Sequence, residues 1–138
     1  MIETTAFIEF TRANCLDLLE SGTRGRVVFT HAAMPAVQPV SYILDDGEAV
    51  FRVTRGSPLA TATHDAVVGF QVDHIDPDTG AGWSVLGVGQ AYQVTDPGRR
   101  VAFTDRVHGW APDSRAFIVA VPLQQLTGNR FSSATVDG

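Results

Sequence analysis

A chain of 138 residues with 44% hydrophobic content suits one domain with a real core. Its net charge of −5 and pI near 5.1 give no general attraction to nucleic acid or an anionic membrane. Its single cysteine, Cys15, excludes an intrachain disulfide and a cysteine-rich metal site. The opening MIETTAFIEF lacks the basic region and continuous apolar segment of a secretory signal, and no later run is long enough to span a bilayer. The expected location is therefore cytoplasmic.

Residues 11–21, TRANCLDLLES, place Ala13, Cys15, Leu16 and Leu19 on one helical face that ends near Gly22. Cys15 reads as a small buried hydrophobe, since no basic partner or catalytic motif surrounds it. Residues 25–30, GRVVFT, form a first strand, followed by the turn-like His31-Ala32-Ala33-Met34-Pro35. Residues 37–44 and 48–54 are strands two and three, joined by Asp46-Gly47, a pair suited to a two-residue hairpin loop with both φ angles positive. That loop sets Asp45 opposite Glu48, Ile43 opposite Val50 and Ser41 opposite Arg52, whereas a three-residue bulged turn shifts the register by one. Pro39 favours an edge or a bulge.

Residues 57–63 predict a short helix capped by Ser57 with Pro58 at its first position. Its exposed N–H groups, the Ser57 hydroxyl, Gly56 and the guanidinium groups of Arg52 and Arg55 suit a phosphate. An ordinary capped helix beside two solvated arginines accounts for the same residues. Residues 66–75 are strand four. Residues 83–95 are too long for an average strand and are interrupted by Gly87 and Gly89, which points to one strongly bent, barrel-closing strand. Residues 97–107 form a second modest helix and 115–121 a last strand; Gly128-Asn129 reads as a turn and 131–138 as a loose tail.

Six antiparallel strands with few, short helices argue for a mainly β protein, a single domain built as a closed or nearly closed barrel. So small a barrel fills its interior with side chains, which leaves any cofactor outside it or at a subunit interface. His31, His64, His74 and His108 are scattered. The cluster of His74 with Asp73, Asp76 and Asp78 lacks the calcium-loop pattern, so no metal is expected. No serine lies in a nucleophile-elbow motif. Arg99, Arg100 and Arg106 read as a solvated basic face. Tyr42 reads as a packing residue, and Trp83 either packs in the barrel or meets a partner or cofactor.

Pro39-Val40-Ser41-Tyr42, Asp46-Gly47, Phe51-Arg52-Val53-Thr54, Gly56-Ser57, Leu59-Ala60 and Gly82-Trp83-Ser84-Val85 follow one another in an order that resembles the pyridoxamine 5'-phosphate oxidase-like split-barrel flavoproteins. The resemblance is to their short bacterial branch related to nitroimidazole-resistance proteins. It implies a six-stranded antiparallel split β-barrel, a homodimer with each flavin in a groove shared by two chains, and FMN phosphate held by Arg52 and Ser57. The candidate cofactor-binding set is Ser41, Arg52, Thr54, Arg55, Ser57 and Trp83, with no catalytic residue assigned. Relatives commonly read Gly-Ser-Lys-Leu where this chain has Gly56-Ser57-Pro58-Leu59, so a phosphate-binding lysine is absent. The implied function is an FMN-dependent oxidoreductase moving hydride to or from a small organic substrate. A deazaflavin coenzyme in place of FMN, or a non-catalytic flavin-binding or sequestering role, are the alternatives. Pyridoxamine 5'-phosphate oxidase activity itself is not expected, because the chain is short and shows no second phosphate constellation.

Overall fold

Alternation of apolar and polar residues dictates most of the strands, because successive side chains point to opposite faces of a sheet. In β2 (Arg24–His31) Gly25, Val27 and Phe29 are buried while Arg24, Arg26 and Val28 are exposed. The same alternation buries Val68, Phe70 and Val72 of β5 (Val67–Ile75). In a computed structural model, residues 2–104, 106 and 116–136 are described. They form a nine-stranded sheet in the order β1-β9-β6-β5-β2-β3-β4-β8-β7, every pair antiparallel. The remaining strands are β1 (Ile2–Glu9), β3 (Met34–Asp45), β4 (Glu48–Thr54), β6 (Gly82–Gln90), β7 (Tyr92–Gln93), β8 (Ala116–Pro122) and β9 (Gln125–Val136). Helices α1 (Arg12–Ser21), α2 (Pro58–Ala62) and α3 (Pro97–Thr104) are short.

The sheet curls. Val85 of β6 and Val119 and Val121 of β8 belong to one buried cluster with Val27, Tyr42, Phe51 and Phe70, although β5, β2, β3 and β4 lie between β6 and β8 in the sheet. Phe51 and Phe70 stack at its centre, 6.2 Å between ring centroids, and Tyr42 meets Phe70 edge-on at 4.7 Å. Each such buried ring contributes about 1.5–3 kcal/mol through its apolar area alone. The chain is thus a mainly β half-barrel, as the sequence predicts, but with nine strands rather than six. The additional ones are β1, β7 and β9. A backbone break at Ala91 divides the long bent strand into β6 and β7, and β9 replaces both the turn expected at Gly128-Asn129 and the tail expected from residue 131 up to Val136. Gly128 has a packing origin: a Cβ there would stand 2.9 Å from Cys15 Sγ and 3.0 Å from the Ser84 carbonyl oxygen, so α1 lies on β9 only because that side chain is missing.

Thr11 caps α1, accepting from the Asn14 N–H, while Cys15 and Leu19 are buried and Ala13 is exposed. Burial pushes the Cys15 thiol pKa up, against the opposing effect of Arg12, in keeping with a packing role. The Tyr42 hydroxyl donates to the Leu19 carbonyl and ties α1 to β3. Burial raises the Tyr42 pKa from 10.0 to about 12. Below pH 10 the hydroxyl is protonated in both folded and unfolded chains; as pH rises towards 12 the unfolded chain alone releases the proton, so stability falls. The expected loss is roughly 2 kcal/mol. Denaturant titrations across this window should show Tyr42→Phe losing less stability than wild type, with a residual decline from Tyr92, whose pKa is also raised, first by burial and then by the Glu48 hydrogen bond. An unchanged slope in Tyr42→Phe would show that this hydroxyl does not titrate differently on folding.

The β3–β4 hairpin follows the two-residue reading: Asp46 and Gly47 have φ of 48° and 76°, and Asp45 pairs with Glu48 and Ile43 with Val50. The β2–β3 hairpin makes the same kind of turn with Ala32 and Ala33, at φ of 51° and 62°. A left-handed conformation costs a residue bearing a Cβ about 1–2 kcal/mol. Ala32→Asn combined with Ala33→Gly is therefore expected to stabilise the protein by about 1–2 kcal/mol, read as a higher denaturation midpoint at constant slope. A lowered midpoint would mean that the alanines are held by packing at the turn.

Candidate functional site

Strand β3 serves two partners in succession, and the candidate groove lies along the part that pairs with β2 alone. Met34 through Ser41 pair with β2, whereas only Tyr42 through Asp45 pair with β4. The expected Ser41–Arg52 pair is therefore not made. Ser41 faces Arg24 of β2, and the Tyr42 N–H turns to the Thr23 carbonyl. Along residues 34–41 β3 is paired on one edge only, which accommodates both Pro35 and Pro39. Helix α2, anchored by buried Leu59, packs against β2 and β4 and faces residues 36–40 of β3.

Between them is a groove of about 600 Å³. Phe29, Val37, Pro39, Val40, Val53 and Leu59 give it apolar walls, while Arg52, Thr54 and Ser57 supply polar groups from the end of β4 and the start of α2. The Ser57 hydroxyl caps α2 by accepting the Ala60 N–H at 3.1 Å, so its own proton remains a donor to a further acceptor. Gly56, at φ +80°, turns the chain from β4 into that cap, with open space around the position a Cβ would take. Arg52 projects from a half-buried position and donates to the Thr104 carbonyl at 2.6 Å. A cation and hydroxyls in the lining of an otherwise apolar slot suit a ligand with a flat apolar body and an anionic group.

Of the six residues singled out from the sequence, Arg52, Thr54 and Ser57 line this groove and Ser41, Arg55 and Trp83 do not. Ser41 opens onto a separate cleft with Thr23, Arg24 and Arg106. Arg55 is exposed, its guanidinium 5.7 Å from the centroid of the Phe117 ring. Trp83 is half-buried, packed against the main core and paired with His74 and Arg130. Phe29, His31 and residues 36–40 also line the groove and were not among those six; the edge position that Pro39 favours was the signal for them. Another cleft, about 580 Å³, is bordered by Glu9, Ser84, Thr127 and Asn129, with no basic side chain among the described residues that line it. A carboxylate there disfavours an anion.

The sequence profile of the family described as pyridoxamine 5'-phosphate oxidase matches residues 11–130. The chain belongs to that family. Among its relatives, the uncharacterized protein Rv0080 of Mycobacterium tuberculosis is 33% identical over 128 residues, covering 89% of this chain and 84% of the relative. A solved structure described as the FAD binding protein from Mycobacterium smegmatis is 30% identical, covers 90% of this chain and 97% of its own, and superposes with a TM-score of 0.74. A Bacteroides thetaiotaomicron structure described as a candidate 5-nitroimidazole antibiotic resistance protein shares the fold alone: 12% identity, TM-score 0.76, coverage 98% and 93%. The half-barrel of this pyridoxamine 5'-phosphate oxidase family member thus matches solved relatives over nearly its whole length. Among the described residues no helix is long and apolar enough to cross a membrane.

Proposed function

We propose that the groove between β3, β4 and α2 binds a flavin nucleotide and that the protein works as a homodimeric flavin-dependent oxidoreductase on a small organic substrate. The observation that carries this reading is that one groove joins apolar walls at Phe29, Val37 and Val40 with the polar side chains of Arg52, Thr54 and Ser57. A flavin ring fits the first part and its phosphate the second. FMN and FAD share both groups; the FAD named for the Mycobacterium smegmatis relative brings FAD alongside FMN. Arg52 and Ser57 would hold the phosphate, Thr54 would border it, and Pro58 contributes no charge where a lysine is common. When bound, the flavin supplies hydride transfer, so the protein's share is binding, orientation and exclusion of water. Among the described residues that line the groove, His31 and Arg52 have titratable side chains, and His31 is exposed.

The outer sheet face supports the dimer. Val37 pairs with Val28, Val28 with Gly69 and Gly69 with Val88, and cross-strand partners lie on one face. Val37 is 56% exposed and Leu86 40%. Beside this row Arg26 donates to Gln71 and Asp73, which with Ser84 form a polar border. Because Val37 also lines the groove, a second copy seated on this face would border the bound ring. The visible spectrum of freshly purified protein and the identity of the molecule it releases test the cofactor: FMN or FAD upholds the reading, a deazaflavin replaces it by the second coenzyme, and a colourless protein that takes up neither contradicts it. Turnover with a reduced nicotinamide donor separates an enzyme from a sequestering protein.

A further inference from the structure

We propose that Arg99 is a positioning residue for the anion end of the groove: by clamping α3 to the β3–β4 hairpin it fixes the carbonyl that holds the Arg52 guanidinium. This rests on the flavin reading above and goes one element beyond it, since α3 contributes no residue to the groove wall.

Helix α3 is fastened at both ends. Near its start the Arg99 guanidinium donates to Glu48 Oε1 at 2.6 Å and to the Tyr92 hydroxyl, and it lies 3.6 Å from Asp45 Oδ2. The Tyr92 hydroxyl in turn donates to the same Glu48 oxygen, closing a three-membered network. Arg99 also stands 5.2 Å from the ring centroid of Phe103, one turn along. Near the other end Phe103 is buried in a second apolar cluster with Val50, Val94, Ile118 and Ala120. The next residue, Thr104, accepts from Arg52.

An arginine side chain has many rotamers, and fixing them on ligand binding weakens the affinity. A carbonyl in the last turn of a helix, at the negative end of its dipole, is a natural anchor for a guanidinium. Arg52 is therefore held before a ligand arrives, provided that α3 stays in place. The clamp joins charged and hydroxyl groups on three elements, β3–β4, β7 and α3, so loosening any one of them frees the Thr104 carbonyl to move.

The test is titration of FMN, FAD and riboflavin against wild type, Arg99→Met, Tyr92→Phe and Arg52→Ala. Arg99→Met keeps the aliphatic stem over Phe103 and removes the hydrogen bonds; Tyr92→Phe removes one hydroxyl and serves should the first variant fold poorly. Each is expected to weaken FMN and FAD, Arg99→Met about five- to tenfold and Tyr92→Phe about two- to threefold, with riboflavin changed less than about twofold. In the Arg52→Ala background neither should alter the FMN-to-riboflavin ratio further. Equal losses for FMN and riboflavin, or an undiminished effect without Arg52, would overturn the positioning role. If wild type shows no preference for FMN over riboflavin, the flavin-phosphate reading itself fails. If wild type shows the preference, Arg52→Ala abolishes it and Arg99→Met leaves it intact, only the present inference fails.

Discussion

Replacing Gly89 by alanine is expected to cost more than about 3 kcal/mol, the largest effect expected for alanine at any described glycine. A Cβ at Gly89 would lie 1.7 Å from the Pro122 carbonyl oxygen, a backbone atom that cannot rotate away. At neighbouring Gly87 the obstacle is Leu123, 2.4 Å away at Cδ2, a side chain with some freedom. These two glycines let β6 run against the corner between β8 and β9, which brings the two flanks of the curled sheet together. For a domain of this size the melting temperature should fall by roughly 10 °C or more. Gly98→Ala on α3 is the matched control: its Cβ would meet only the Asp96 carboxylate at 3.5 Å. That variant should be neutral or gain about 0.5–1 kcal/mol from helix propensity. Stability of Gly89→Ala within about 0.5 kcal/mol of wild type would mean that the β6–β8 approach is not needed for closure.

Arg52→Ala is expected to weaken FMN binding roughly ten- to a hundredfold while riboflavin loses much less, because a charge-assisted phosphate contact contributes about 1.5–3 kcal/mol. The difference between the two ligands isolates the phosphate contact from damage to the groove. Pro58→Lys tests the converse. It places a cation beside Ser57 at the helix start and gives up the preset φ of proline, so FMN affinity should rise without a matching rise for riboflavin. Parallel titrations decide both: equal losses on removing Arg52 would mean that its bond to Thr104, rather than a phosphate, accounts for its place in the groove.

What could be read from the sequence divides along physical lines. Local chemistry was legible: Asp46-Gly47 dictates its hairpin through φ, Ser57-Pro58 dictates the start of α2, and the alternation in β2 and β5 dictates their buried faces. Long-range packing was not. Gly128 resembles a turn residue until α1 is laid across it, and β9 has no apolar alternation because its pairing on both edges, to β1 and β6, supplies the order instead. The lining of the groove was half legible for the same reason. Arg52, Thr54 and Ser57 lie within one short run, so the hairpin and cap bring them to the groove together. The expected Ser41–Arg52 pair is not made because β3 leaves β4 at Tyr42, a divergence set by its pairing with β2. Arg99 read as a solvated arginine, and only the tertiary meeting of α3 with Glu48 and Tyr92 shows otherwise.

The central claim is that a flavin nucleotide lies in the groove between β3, β4 and α2 with its phosphate at the Arg52–Ser57 end. A crystal structure of the protein with FMN tests this most directly. The prediction is a phosphate within hydrogen-bond distance of the Arg52 guanidinium and the Ser57 hydroxyl, with the ring against Val37 and Val40. A flavin seated instead in the cleft bordered by Glu9, Ser84 and Asn129, or a phosphate turned away from Arg52, would contradict it.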